Sequence, residues 1–201
     1  MRVSSSIKAE RMKILVFDNY DSFTYNLVHI IRELGYGDLV DIFRNDKIDI
    51  DDIEGYDKIL LSPGPGVPKD AGIMERLIEK YASTKSILGV CLGHQGIAEV
   101  FDAELYNMPV VLHGVTTSIE ILKGQDYLFD SIPSTLNVCR YHSWAVIPET
   151  VNGNLEITAI DEQGVVMGLR HKQYDVRGLQ FHPEAYMTEY GIKMIDNWLK
   201  R

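Results

Sequence analysis

The sequence predicts an α/β protein: an open, mostly parallel sheet with helices on both faces and antiparallel additions in its second half. Three observations carry this. The strand-like runs of the first half are continuously apolar, as in parallel strands buried on both faces. Helical stripes separate those runs one by one. After Val115 the rhythm changes, and strand-like pieces follow one another with only turns between them.

Ile14-Leu15-Val16-Phe17 is the first apolar run. Phe23, Leu27, Ile30, Ile31 and Leu34 then fall on one helical stripe, with Gly35 placed as a C-terminal cap. Residues 39–43, 59–61 and 87–90 read as further strands, and residues 74–81 and 95–101 as helices. Alternation of this kind implies right-handed crossovers and a doubly wound, flavodoxin-like sheet. Residues 115–122, 136–138, 155–160, 165–169 and 176–181 read as antiparallel additions or an edge extension. Residues 188–199 close the chain as a helix, with Tyr190, Met194, Ile195 and Trp198 spaced for core packing.

The 201 residues, 45% hydrophobic, suit one compact domain over residues 13–201, preceded by residues 1–12 as a disordered leader or alternative start at Met12. A net charge of -9 argues against a nucleic-acid partner, which would want a basic face. No apolar stretch approaches the roughly 20 residues of a membrane span, and no signal pattern opens the chain, so a cytoplasmic protein is expected. In that reducing compartment Cys91 and Cys139 read as free thiols.

Gly89-Val90-Cys91-Leu92-Gly93-His94-Gln95-Gly96 reads as a nucleophile on a sharp strand-to-helix elbow. Glycines two residues to either side of Cys91 remove the Cβ atoms that would collide there, and a helix N-terminus behind the thiol favours its thiolate. Alone, Cys91 could equally be a small buried hydrophobe. Phe181-His182-Pro183-Glu184 tips the balance by offering His182 as general base and Glu184 as the group that orients it. Ser62-Pro63-Gly64-Pro65-Gly66 follows another strand, so three distant segments meet at the carboxyl edge of the sheet, where open sheets bind ligands. The N–H groups of Gly64 and Leu92 are candidates for an oxyanion hole.

His29, His94, His113, His142 and His171 read as structural, and no Cys-x2-Cys or His-Glu-x2-His spacing is present, so neither metal nor other cofactor is expected. The acids of Asp18-Asn19-Tyr20-Asp21-Ser22-Phe23 could suggest a magnesium-dependent phosphoacceptor, but Ser62 and Pro63 stand where the acceptor aspartate belongs. Capping of the next helix by Asp21 or Ser22 is the preferred reading.

With Arg140-Tyr141-His142-Ser143 added, these blocks resemble the class I glutamine amidotransferases, more narrowly the glutaminase subunit of anthranilate and aminodeoxychorismate synthases, from about Lys13 to Arg201. The resemblance implies a triad of Cys91, His182 and Glu184. It implies L-glutamine held by Gly64, Pro65, Gly66, Gln95, Ser143 and Trp144, and ammonia passed to a chorismate-binding component I. Val115 stands where the family often has lysine, and Trp144 where leucine is common. Anthranilate synthase component II is the expected role, with aminodeoxychorismate synthase or dual use as the alternative. More distant readings are a stand-alone γ-glutamyl cysteine hydrolase and a non-catalytic flavodoxin-like module.

Overall fold

The computed structural model describes residues 12–122 and 126–201. Of the expected leader, residues 1–11 lie outside the described residues, and Met12 packs partly buried against the core.

Strand β1 (Ile14–Asp18) is buried along its whole length. Ile14 and Val16 enter one core while Leu15 and Phe17 enter another, which is why the run is apolar without alternation. Helix α1 (Thr24–Ile31) passes into a π-type turn over Arg32–Tyr36, where Gly35 takes the left-handed conformation expected of a cap, φ 91°. Strands β2 (Val40–Arg44) and β3 (Lys58–Leu61), helix α2 (Met74–Tyr81), strand β4 (Ser86–Val90) and helix α3 (Leu92–Val100) follow. Helix α3 begins ahead of residue 95: its first turn contains Gly93 and carries little apolar periodicity, so the apolar pattern marks only its later turns.

The second half holds β5 (Leu105–Asn107), β6 (Val115–Ile121), β7 (Thr135–Arg140), β8 (Trp144–Val146), β9 (Leu155–Asp161), β10 (Val166–His171), β11 (Val176–Leu179) and α4 (Gly191–Lys200). Nine strands form one sheet in the order β2-β1-β3-β4-β11-β10-β9-β6-β7, and β5 pairs with β8 separately. The neighbours from β2 to β11 are parallel, and those from β11 to β7 antiparallel. Helices α1 and α4 cover one face, α2 and α3 the other.

Two expectations are corrected. Residues 176–181 do not belong wholly to the antiparallel additions, since β11 runs parallel to β4 and ends at Leu179, with Gln180, Phe181 and His182 following its carboxyl end. Strands β5 and β8 are too short for a periodic signal. Neither Asp21 nor Ser22 caps α1: Phe23 is the N-cap residue and no side chain caps it. The Asp21 carboxylate instead accepts the Phe23 N–H at 2.7 Å, while Asp18 takes the Tyr20 N–H and the Thr24 hydroxyl, so both acids shape the turn leading into the helix.

The antiparallel strands also curl back. Strand β7 is the far edge of the sheet, yet its Cys139 carbonyl accepts the His182 N–H at 3.0 Å, beyond the end of β11.

Candidate active site

Cys91 joins β4 to α3 with φ 52° and ψ −99°, a strained conformation for a residue with a Cβ. The turn is tight enough that a Cβ on Gly89 would strike the Gly93 backbone, and one on Gly93 would sit 2.6 Å from the Leu61 carbonyl oxygen. The Cys91 N–H donates to the Leu179 carbonyl at 2.8 Å, tying the elbow to β11. Around the sulfur, the thiol faces the Tyr141 carbonyl at 3.8 Å and Gln180 Nε2 donates to it at 3.7 Å.

His182 is buried, with Nδ1 2.7 Å from Glu184 Oε1 and its ring set edge-on against Phe23 and Tyr141. Thr188 holds the backbone by donating its hydroxyl to the His182 carbonyl at 2.6 Å while accepting the Cys139 N–H at 3.0 Å. Burial opposes protonation of the ring, but the Cys91 sulfur and the Glu184 carboxylate outweigh it and push His182 up to about 10. His182 Nε2 is buried and has no hydrogen-bond partner among the described residues. Catalytic hydrogen bonds commonly align only when substrate is in place.

The loop at Gly64 is braced by Asn19, whose N–H donates to Ser62 Oγ and whose Nδ2 donates to the Ser62 carbonyl. A Cβ on Gly64 would lie 2.6 Å from both the Asn19 and Leu92 side chains, so glycine lets this loop lie against the start of α3. Neither the Gly64 nor the Leu92 N–H is taken up by a hydrogen bond among the described residues.

A cavity of about 180 Å³ gathers Gly64, Pro65, Gly66, Cys91, Gln95, Ser143 and Trp144. It lies below the ~300–1,000 Å³ of pockets that take drug-sized ligands and suits a single amino acid. His182 and Glu184 are outside its wall. Val111, Leu112, His113, Tyr141 and His142 complete the lining. The block Arg140-Tyr141-His142-Ser143 signalled two of these, whereas nothing in residues 111–113 did. A larger cavity of about 680 Å³, lined in part by Met108, Val110, Thr117, Arg140 and Asp161, contains neither Cys91 nor His182.

The remaining histidines divide. His94, His142 and His171 are buried, while His29 and His113 are exposed, with the His113 ring set edge-on against Tyr141. His142 donates from Nδ1 to the Trp144 carbonyl at 2.8 Å and accepts the Arg140 Nε–H at Nε2, 3.0 Å. Burial and the Arg140 guanidinium push it down to about 4, so it is neutral. Among the described residues no group of three or more His, Cys, Asp or Glu side chains could hold a metal ion, and no helix is long and apolar enough to cross a membrane.

Residues 15–201 match the family model for glutamine amidotransferase class-I. The chain is 43% identical over 189 residues to the aminodeoxychorismate/anthranilate synthase component 2 of Bacillus subtilis, covering 93% of this chain and 95% of that protein. It is 42% identical over 190 residues to the aminodeoxychorismate synthase component 2 of Escherichia coli, covering 94% and 100%. A solved structure described as a GMP synthase protein, from Thermoplasma acidophilum, superposes with a TM-score of 0.83 at 28% identity, over 94% of this chain and 93% of that one. An elbow thiol beside an imidazole–carboxylate pair thus sits in a chain whose sequence and fold agree in their relatives: it belongs to the class I glutamine amidotransferases.

Proposed function

We propose that this chain is the glutaminase subunit, component II, of a chorismate-aminating synthase, with Cys91, His182 and Glu184 as its triad. The observation that carries the reading is the small cavity in which Cys91 meets Gly64, Pro65, Gly66, Gln95, Ser143 and Trp144. There the six residues hold L-glutamine with its side-chain amide over the sulfur. Cys91 gives its proton to His182 Nε2 and attacks the amide carbon, and the N–H groups of Gly64 and Leu92 hold the oxyanion. Collapse of the tetrahedral adduct breaks the C–N bond as His182 returns the proton to the leaving nitrogen, releasing ammonia and leaving a γ-glutamyl thioester. Water, deprotonated by His182, attacks the thioester; glutamate leaves and the thiol is restored. Glu184 keeps the imidazole in the tautomer with Nδ1 protonated throughout.

The ammonia passes to a chorismate-binding component I. Val111 in the cavity wall and its neighbour Val110 are 68% and 62% exposed, which supports a partner docked at the mouth. Anthranilate synthase is the preferred pathway, and the dual name of the Bacillus subtilis relative keeps service to aminodeoxychorismate synthase as the second reading. Two free cysteines support a cytoplasmic setting. The test is to copurify the native partner, supply chorismate and glutamine, and identify the product. Ortho amination with accelerated glutamine hydrolysis is expected, para amination would favour the second reading, and full hydrolysis without any partner would favour a stand-alone hydrolase. In each case Cys91→Ser should lower glutaminase kcat by about 10⁴-fold or more.

A further inference from the structure

We propose that Gln180 is a further catalytic residue: its side-chain amide donates a hydrogen bond to the Cys91 sulfur and holds it as the thiolate, aimed there by the Trp144 carbonyl. The inference rests on the reading of Cys91 as nucleophile. A backbone carbonyl only accepts, so the Gln95 atom 2.9 Å from the Trp144 oxygen is the NH₂ end of its amide. That NH₂ also reaches Gln180 at 3.1 Å, and the atom it meets is therefore the acceptor Oε1. The Gln180 NH₂ is left facing Cys91 Sγ at 3.7 Å. Turning the amide over would set its oxygen against the sulfur and two NH₂ groups against each other.

Gln180 is fully buried and Gln95 is 3% exposed, so water does not compete for these bonds. The same carbonyl is held from its other side by His142, which is held by Arg140, whose Nη1 pairs with Asp161 at 2.5 Å. A thiol is a weak acceptor and a thiolate a strong one, so a fixed donor favours the charged sulfur. The proton released goes to His182 Nε2, with no net change in charge.

The test is the pH dependence of Cys91 alkylation by iodoacetamide, read on the Cys91 peptide by mass spectrometry so that Cys139 does not contribute. Gln180→Met, which removes the donor, should raise the alkylation midpoint by about one pH unit, about tenfold less thiolate at a fixed pH below it. Gln180→Glu should raise it further by setting an anion against the sulfur. An unchanged midpoint in folded Gln180→Met protein would overturn the proposal, even if kcat fell. Where a variant does not fold, the unsubstituted protein decides: the Gln180 side-chain amide proton should shift in NMR spectra with the alkylation midpoint, and a resonance blind to that titration would overturn the proposal. Iodoacetamide carries no glutamine group, so a midpoint shift in a chain that fails to hydrolyse glutamine would sustain the role of Gln180 while ending the glutaminase reading.

Discussion

The parallel and antiparallel halves of the sheet make different contributions to one site. From the ends of β1, β3, β4 and β11 come Asn19, Ser62, Cys91 and Gln180, all at one sheet edge because parallel strands end on the same side. The antiparallel strands β10, β9, β6 and β7 carry neither the thiol nor the imidazole. They curl back so that the segment after β7 forms the cavity wall and β7 itself grips the backbone of His182. Topology alone delivers the reacting groups, whereas their alignment depends on tertiary bonds made across three intervening strands.

Breaking the second kind of support should therefore injure substrate binding without removing the nucleophile. Arg140, 2% exposed, spans the buried Asp161 carboxylate and the neutral His142. Arg140→Met leaves that carboxylate uncompensated and should cost about 3–5 kcal/mol in urea unfolding. It should also raise the glutamine KM, since His142 and the Trp144 carbonyl lose their anchor. A folded variant with unaltered KM would mean that the extension does not shape the cavity.

pH separates two sets of buried imidazoles next. His142, in the extension, is held down to about 4 by burial and Arg140, and His94 down to about 3 by burial. Below the ordinary imidazole value of about 6.5 the unfolded chain takes up protons that these folded rings refuse, so stability falls as pH falls. The His142 share is of order 3 kcal/mol. His182 has the opposite sign: raised to about 10, its contribution is fully present below about 6.5 and is lost as pH rises toward 10. Denaturant midpoints against pH should peak near the ordinary imidazole value. His142→Gln should flatten the acid side only, and Cys91→Ser the alkaline side only. Crossed effects would show the two networks to be one.

The same division explains what could be read from the chain. Continuous burial made β1, β3 and β4 plain as apolar runs, and the paired glycines around Cys91 exposed the elbow because a Cβ at either position meets backbone. The Phe181–Glu184 block gave His182 and Glu184, but not the donor at Gln180 beside it, since its role arises from where Gln95 and the Trp144 carbonyl lie. Residues 111–113 carry no periodic or catalytic signal and enter the cavity only through the curl of the extension. The direction of β11 was hidden too, because a strand between β4 and β10 is buried alike whether its neighbours run with it or against it.

The smallest effect sharpens the comparison most. Thr188→Val keeps the side-chain shape but deletes the hydroxyl that donates to the His182 carbonyl and accepts the Cys139 N–H. The Cys139 N–H is then buried without that partner, at a cost of about 1–3 kcal/mol. His182 keeps its N–H bond to the Cys139 carbonyl and its pairing with Glu184, so the ring should be loosened and not lost. Because the base and not the cavity wall is displaced, kcat should fall, by up to about 10²-fold, with the glutamine KM unchanged. Arg140→Met should move KM instead. If both variants moved the same parameter, β7 would be one undivided support, and the grip on the base and the shaping of the wall could not be assigned to separate bonds.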